Sequence, residues 1–272
     1  MPDSPRTPGP RRAALHRTLR HGSLRVAVRP WPGTRPGTAP SAGLLASLTF
    51  SGAHDEADSL PDDTVVGRWL TEIRAMGYAD VRTGAVGPGI ARRLAVHGFA
   101  SVQELELLSA DLTSVPPALS LPLRTLRHHV VTPRLARDVL AVDRRSFPTG
   151  WHMDSLMFRD ARRATSHSAL HTARISTGPD TDTVGFVLAG RTAHTGYVQR
   201  LAVDPGHRRR GVAFALLAAA HSWLRAAACA TALVNTEPTN QPALALYRRF
   251  GYATLPYRLQ VLECDLSAVG AA

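Results

Sequence analysis

One stretch near the C-terminus, residues 197–252, constrains the fold more than any other part of the chain. It begins with an apolar strand segment at 197–203, followed by a Pro-Gly turn and three consecutive arginines at 208–210. Gly211 and Ala213 then open a long apolar segment with helical spacing. A strand, a tight loop and a helix N-terminus bring unpaired backbone N–H groups and the positive end of a helix dipole together. The stretch therefore predicts an anion-binding loop.

The small residues of this loop are as informative as its charge. A bulky side chain at Gly211 or Ala213 would keep a phosphate away from the amides, whereas the arginines supply charge and paired donors. The loop is neither a P-loop nor a dinucleotide Gly-x-Gly-x-x-Gly site, because both patterns are absent. An exposed helix start with solvated arginines would give the same six residues, so the loop alone leaves two interpretations open.

A second motif at residues 240–252 reads Asn-Gln-Pro-Ala-Leu-Ala-Leu-Tyr-Arg-Arg-Phe-Gly-Tyr. Together, the strand, the loop Arg-Arg-Arg-Gly-Val-Ala and this second motif resemble the GNAT acyltransferase superfamily. Its patterns are Gln/Arg-x-x-Gly-x-Gly/Ala and Asn-x-x-Ala-x-x-Leu-Tyr-x-x-x-Gly-Tyr. The resemblance implies an α/β fold, with a mixed twisted sheet flanked by helices in the order β-α-α-β-β-β-α-β-α-β, and acetyl-coenzyme A (acetyl-CoA) as cosubstrate. The last third also resembles the ribosomal-protein N-terminal acetyltransferases.

The resemblance assigns roles to individual residues. The strand backbone is expected to bind the pantetheine arm, and the loop is expected to bind the pyrophosphate. The asparagine of the second motif is expected to contact the pantetheine arm as well. These cofactor-binding candidates are Leu201, Ala202, Val203, Arg208, Arg209, Arg210, Gly211, Val212, Ala213 and Asn240. Tyr247 matches the tyrosine that protonates the departing thiolate. Each motif residue has a plainer alternative, because Asn240 can cap a helix and Tyr247 can belong to an apolar helix stripe.

The general base is less well defined. The ribosomal-protein N-terminal acetyltransferases carry a glutamate five residues before the motif asparagine, where this chain has Asn235, which cannot act as a base. Glu237 is a nearby candidate that shares a strand face with Asn235 only if the strand stays extended. Some members of the superfamily accept a neutral amine or use water, so activity does not require this glutamate.

Two predicted helices, at about 133–145 and 154–164, are separated by a loop that lines the acceptor pocket in this superfamily. The resemblance makes Phe147, Trp151 and His152 candidates for shaping that pocket. Aromatic side chains more often belong to a hydrophobic core, and this alternative stays open.

The composition restricts the possible partners. All 32 basic residues are arginine and the formal charge is +11, which favours acidic partners such as coenzyme A or a nucleic acid. Aromatic residues make up only 6% of the chain and no aromatic-interleaved basic motif occurs, which argues against nucleic acid. No apolar run is long enough to span a bilayer, so we expect a cytoplasmic protein without a membrane partner.

Metal and redox chemistry are not expected. His167 and His171 lie four residues apart without a further ligand at suitable spacing, so we predict no metal site. Cys229 and Cys264 have no redox spacing and are expected to be buried small side chains.

A possible internal repeat organises the rest of the chain. Setting Gly98 against Gly251 gives an offset of 153 residues (251 − 98) and aligns the same order of predicted elements. We therefore predict an Arg/Pro-rich tail and loop at 1–40, a degenerate GNAT-like half-domain at 41–118 and a catalytic domain at 121–272. The first copy would be inactive, because Arg208, Arg209, Gly211 and Tyr247 correspond there to Asp55, Glu56, Asp58 and Leu94. Alternatively, any strand-helix succession would align this well.

These observations favour an N-acetyltransferase that moves an acetyl group from acetyl-CoA to a protein N-terminus, a lysine or a small amine. The tandem arrangement is similar to that of mycothiol synthases, which acetylate a small-molecule amine. One alternative is a CoA-binding regulator without turnover, and another is an Arg-driven nucleic-acid-binding protein. The oligomeric state is left as monomer or homodimer.

Overall fold

The computed structural model describes residues 17–22, 24–31, 44–51, 61–113, 125–149, 151–177 and 180–267. These residues form six α-helices: α1 (Asp63–Ala75), α2 (Pro88–Ala95), α3 (Pro133–Ser146), α4 (Ser155–Arg163), α5 (Val212–Ala226) and α6 (Gln241–Arg249). Their strands are β1 (Arg17–His21), β2 (Leu24–Pro30), β3 (Leu44–Ser51), β4 (Tyr78–Thr83), β5 (Ala100–Asp111), β6 (Thr125–His128), β7 (His167–Thr177), β8 (Asp180–Thr192), β9 (Thr195–Val203), β10 (Thr231–Thr236) and β11 (Ala253–Asp265). Asp55, Glu56, Asp58 and most of the predicted tail lie outside the described residues.

The chain divides into two compact units. The first contains residues 1–31, 39–103 and 260–272, and the second contains 32–38 and 104–259. The units therefore differ from the predicted domains, of which the half-domain ends at 118 and the catalytic domain begins at 121. The cause is backbone pairing that local sequence does not reveal: the end of β5 pairs with β10, and the end of β11 pairs with β4. The last strand of each predicted copy thus contributes to the other unit.

The first unit is a mixed sheet with helices α1 and α2 packed on it. Its strands run in the order β1-β2-β3-β4-β11, with β3 and β4 parallel and the other pairs antiparallel. Helix α1 begins where the Asp62 carboxylate caps the Val65 N–H at 2.8 Å, and it buries Trp69 and Ile73 on one face. Within the predicted Arg/Pro-rich tail and loop at 1–40, β1 pairs with β2 and buries Leu19, so this part is a strand of the sheet.

From β6 onward the elements follow the predicted order, through α3, α4, β7, β8, β9, α5, β10 and α6 to β11. The strand order is β5-β10-β9-β8-β7-β6, with β9 and β10 parallel. Helices α3 and α4 cover one face, around the buried Phe186, and α5 and α6 pack around the buried Leu216 and Phe250. The α/β fold with a mixed sheet flanked by helices is confirmed. The chain closes with one long strand, β11.

The element bounds repeat at the predicted offset. Shifting β4 by 153 residues gives 231–236, which are the bounds of β10, and Gly98 falls on Gly251. Both glycines adopt the left-handed backbone, with φ of 82° and 80°, and both follow a short helix. That the first copy is degenerate remains a prediction.

Both cysteines are free and buried, as expected for small core side chains. Burial raises the pKa of the Cys264 thiol to about 11, which keeps it protonated. None of the described helices is both long and apolar enough to cross a bilayer. Across the described residues, no cluster of three or more His, Cys, Asp or Glu side chains could hold a metal ion.

His171 on β7 makes the fold sensitive to acid. It is 5% exposed, and its Nε2 has no hydrogen-bond partner. Burial lowers its pKa to about 4, with further contributions from Arg127 and His128. Because this value lies below the ordinary pKa of about 6.5, protonation favours the unfolded chain, and stability falls as the pH drops from 6.5 to 4.

We expect His171→Leu to reduce this acid sensitivity. From pH 7 to pH 5 the wild type should lose about 2 kcal/mol of unfolding free energy through His171, and the variant should not. At pH 7 the two proteins should differ by less than about 1 kcal/mol, because no hydrogen bond is broken at Nε2. Urea unfolding at both pH values measures the difference. The exposed His129→Leu is the control and should keep the wild-type pH dependence; an equally acid-sensitive His171→Leu would contradict the assignment.

Candidate functional site

The parallel pair β9 and β10 separates part-way along its length. Their residues pair from Thr195 opposite Thr231 to Tyr197 opposite Leu233, and the ladder then ends, although β9 continues to Val203. A β-bulge in β9 accompanies the separation, since Gln199 is the extra residue between two consecutive pairs with β8. Beyond Tyr197, the edge of β9 that faces β10 is therefore open for backbone hydrogen bonds. We call residues 198–203 the open edge.

The open edge leads directly into the Arg-rich loop. Asp204 begins a short 3₁₀ turn (Pro205–His207), and its carboxylate accepts from the Gly206 N–H at 3.0 Å. Arg209 and Gly211 both have positive φ, 63° and 78°, so the chain turns sharply into α5. Gly211 is the N-cap of α5 and provides no capping side chain, and the first turn of α5 contains no acidic residue. The first N–H groups of this helix are thus available to an anion.

The three arginines of the loop are exposed but not equivalent. Arg208 donates through Nη2 to the Ser146 carbonyl at 3.0 Å, which ties the loop to the end of α3. Arg145 pairs with Asp204 at 2.6 Å on the same side. Burial alone would raise the pKa of Asp204, but hydrogen bonds from Arg145 and Gly206 outweigh it and lower the pKa. Arg208 therefore has a structural contact, whereas Arg209 and Arg210 extend the positive surface around the Gly211 turn.

Tyr247 lies on the inner face of α6 and is 5% exposed. The side chains of Leu201 and Val203 pack against the same hydrophobic cluster, so Tyr247 and the open edge share one core. Burial raises the pKa of Tyr247 well above the ordinary value for a phenol. Its ring lies 5.5 Å from that of Tyr252, whose hydroxyl is 2.8 Å from His221 Nε2.

The polar candidates before α6 have mainly local contacts. The Asn240 side chain caps α6, accepting from the Ala243 N–H at 3.3 Å and donating to Thr236 Oγ1 at 3.1 Å. These contacts agree with the plainer prediction for Asn240, that its side chain caps a helix. Asn235 and Glu237 are both exposed at the end of β10, and the Glu237 carbonyl accepts from the Asn240 N–H at 3.0 Å.

Two charged residues beside this site were not predicted from the sequence. Asp143 on α3 is fully buried, and Arg200 on the open edge pairs with it at 2.7 Å. The available signal was an aspartate at a helix position next to the apolar Val142 and an arginine within an apolar strand. Phe147, Trp151 and His152 lie in the loop that this pair contacts, and all three are half-buried.

Comparison with known families agrees with this geometry. The model of the Acetyltransferase (GNAT) family matches residues 137–252, from α3 to the end of the second motif. Residues 137–252 are a GNAT domain. The predicted resemblance to the GNAT superfamily is thereby confirmed.

Solved structures share the fold at low sequence identity. A GCN5-related N-acetyltransferase from Sphaerobacter thermophilus is 18% identical, with a TM-score of 0.54 over 90% of this chain and 77% of that one. A GCN5-related N-acetyltransferase from Kribbella flavida is 16% identical, with a TM-score of 0.53 over 93% and 90%. A tandem GNAT protein from the clavulanic acid biosynthesis pathway is 12% identical, with a TM-score of 0.61 over 89% and 78%. These similarities establish the fold, and the GNAT domain supports acyl transfer in general.

Proposed function

We propose that this protein is an N-acetyltransferase that moves an acetyl group from acetyl-CoA to a primary amine. The observation that carries the proposal is the open edge of β9, which leads within the GNAT domain to the uncapped N-terminus of α5. The open edge offers backbone groups to an extended amide-containing chain, and the helix start offers N–H groups to a phosphate. Acetyl-CoA has both parts: its thioester is followed by the extended, amide-containing pantetheine arm and then by the pyrophosphate.

The residues divide the binding between backbone and side chains. Backbone groups of Leu201 and Val203 bind the pantetheine arm, whereas those of Ala202, which lies between them, face β8. Gly211, Val212 and Ala213 present N–H groups to the pyrophosphate. Arg209 and Arg210 add positive charge at the exposed rim. Arg208 adds positive charge as well, and its hydrogen bond to the Ser146 carbonyl also holds the end of α3. We propose that Asn240 orients the start of α6 beside the pantetheine arm, because its side chain caps that helix.

In the reaction, the amine nitrogen attacks the thioester carbonyl, the C–N bond forms, and the C–S bond breaks as the tetrahedral intermediate collapses. Tyr247 then donates its phenolic proton to the departing sulfur. Burial raises the pKa of Tyr247, so the phenol is protonated at neutral pH. Its proton is transferred uphill to a thiolate with an ordinary pKa of about 8.5, but the same desolvation raises the thiolate pKa as well.

The amine must lose a proton during the reaction. Asn235 occupies the expected position of the base and cannot accept this proton, whereas Glu237 carries a carboxylate nearby and is exposed to solvent. We assign Glu237 as the base candidate, with water taking the proton if the amine arrives neutral.

We propose further that the first unit does not bind acetyl-CoA. Where β9 and β10 separate, the corresponding β3 and β4 remain paired up to Leu48 opposite Thr83, and Gly84 N–H donates to the Leu48 carbonyl at 2.7 Å. Within the described part of this unit, the paired strands leave no comparable open edge. In this proposal the first copy is degenerate, and the protein acts in the cytoplasm as a monomer or homodimer.

A second candidate function is a CoA-binding regulator without turnover. It is favoured by Asn235, which removes the expected base, and it requires the same open edge and loop.

Calorimetry with acetyl-CoA, followed by a thiol-release assay, tests the proposal. The amine panel is a peptide with a free N-terminal alanine, an N-blocked lysine peptide and spermidine. Binding with thiol release and an acetylated product is the expected result, and binding without product would favour the regulator. Absence of acetyl-CoA binding would contradict both functions.

A further inference from the structure

A buried ion pair connects the open edge to the loop between α3 and α4. Arg200 donates to the Asp143 carboxylate through Nε at 2.7 Å and through Nη2 at 3.1 Å. The Asp143 side chain is fully buried, and the Arg200 side chain is 18% exposed. Exchanging a buried ion pair for apolar residues of similar size is often neutral or stabilising, so the stability of the fold does not by itself account for this one. Its geometric consequences are more specific.

The same two side chains bind the backbone of the loop. Arg200 Nη2 donates to the Trp151 carbonyl at 2.6 Å, and the Met153 N–H donates to Asp143 Oδ1 at 2.8 Å. The guanidinium also lies 3.5 Å from the ring centroid of Phe147. Two hydrogen bonds and one ring contact therefore fix the loop at its beginning and its end.

The course of the loop places it beside the candidate site. It starts where the Ser146 carbonyl accepts from Arg208 in the anion-binding loop. It ends at the contacts with Arg200, which immediately precedes Leu201 on the open edge. The loop thus follows β9 along the part that is separated from β10.

We infer that Arg200 and Asp143 are positioning residues that hold the described part of the α3–α4 loop, residues 147–149 and 151–154, as a wall of the amine-acceptor site. This inference rests on the proposed acetyltransferase function. The pair acts through the loop, whose Trp151 and His152 side chains are half-buried and, in this proposal, face the amine. Acetyl-CoA binding depends on the backbone of β9 and α5 and not on this loop.

The experiment compares Arg200→Lys with Arg258→Lys. Lysine keeps the charge but cannot form the paired hydrogen bonds or stack on Phe147 in the same way. Arg258 is a matched control because it bonds two carboxylates, Glu104 and Glu106, in the same unit and lies outside the proposed site. The measurements are acetyl-CoA affinity by calorimetry, KM and kcat for the panel amine that the wild type acetylates fastest, and hydrogen exchange at the Met153 amide.

For Arg200→Lys we expect the amine KM to rise at least tenfold and kcat to fall by up to about 10²-fold, the typical effect of an ångström-scale misplacement. Acetyl-CoA affinity should stay within about threefold of the wild type, and Met153 exchange should accelerate at least tenfold. Arg258→Lys should change none of these values.

Two results would overturn the inference: an unchanged Met153 exchange rate, or an equal loss of acetyl-CoA affinity and amine turnover. If Arg200→Lys does not fold, the double variant Asp143→Asn with Arg200→Gln, which leaves no unpaired buried charge, is measured instead. A wild type that acetylates no panel amine would overturn the proposed function and the acceptor-site assignment together. Met153 exchange would still decide whether the pair holds the loop.

Discussion

Gly211→Glu should abolish acetyl-CoA binding. Gly211 is the left-handed N-cap of α5, so a glutamate there brings a carboxylate to the N–H groups that we assign to the pyrophosphate. Two like charges about 4 Å apart near a protein surface repel by about 4 kcal/mol, which corresponds to a loss of about 10³-fold in affinity. Calorimetry with acetyl-CoA measures the loss. The thiol-release rate at low acetyl-CoA concentration should fall by a similar factor.

The control must separate the charge from the strain of a side chain at positive φ. Gly251→Glu provides it, because Gly251 also has positive φ, at 80°, follows α6 in the same unit and has open space around its α-carbon. It introduces the same side chain at a similar positive φ, at a position that is not part of the Arg-rich loop or of the first turn of α5. We expect it to bind acetyl-CoA as the wild type does. Equal losses in both variants would show that strain, rather than repulsion, explains the effect.

Tyr247→Phe should lower kcat by about 10²-fold or more, the contribution usual for a positioned general acid. Acetyl-CoA affinity should remain within about threefold, because phenylalanine preserves the buried ring and removes only the hydroxyl. Burial raises the pKa of Tyr247 above its ordinary value of about 10, so its proton is retained throughout the neutral and mildly alkaline range. The wild-type kcat should therefore show no alkaline decline from this group below about pH 10. Single-turnover kinetics from pH 6 to pH 9.5 measure both expectations.

Tyr252→Phe is the matched control for Tyr247→Phe. Its ring lies in the same cluster, but its hydroxyl is hydrogen-bonded to His221 at 2.8 Å. We expect a loss of about 1–3 kcal/mol in unfolding free energy, since the partner nitrogen is left unpaired in the core, and a kcat within about threefold of the wild type. If the two variants lower kcat equally, the role of Tyr247 as proton donor is wrong and its contribution is to packing.

The local motifs made the second unit predictable. Its helices and strands begin and end at residues that short-range patterns predict, such as the apolar strand before the Pro-Gly turn and the left-handed Gly211 before α5. The helix cap at Asn240 was predictable for the same reason, because capping involves residues only three positions apart. The repeat offset was visible because Gly98 and Gly251 occupy equivalent turns.

Residues that act through distant partners were not predictable. The sequence separates Asp143 from Arg200 by a helix and two strands, and neither residue belongs to a motif. The pairing of β5 with β10 and of β11 with β4 was not predicted, because the side-chain pattern of a strand does not specify its partner strand. The separation of β9 from β10 depends on the bulge at Gln199, which the sequence does not signal.

The sequence by itself determined the GNAT domain, its element order and the sharp Arg-rich turn before α5, because these depend on backbone conformations that nearby residues dictate. Tertiary structure alone decided the open edge of β9, the buried pair of Asp143 and Arg200 that contacts the α3–α4 loop, and the division of the chain into units. These features depend on which strands and side chains meet across the fold. Such contacts are selected by the packing of the whole chain, and no local pattern specifies them.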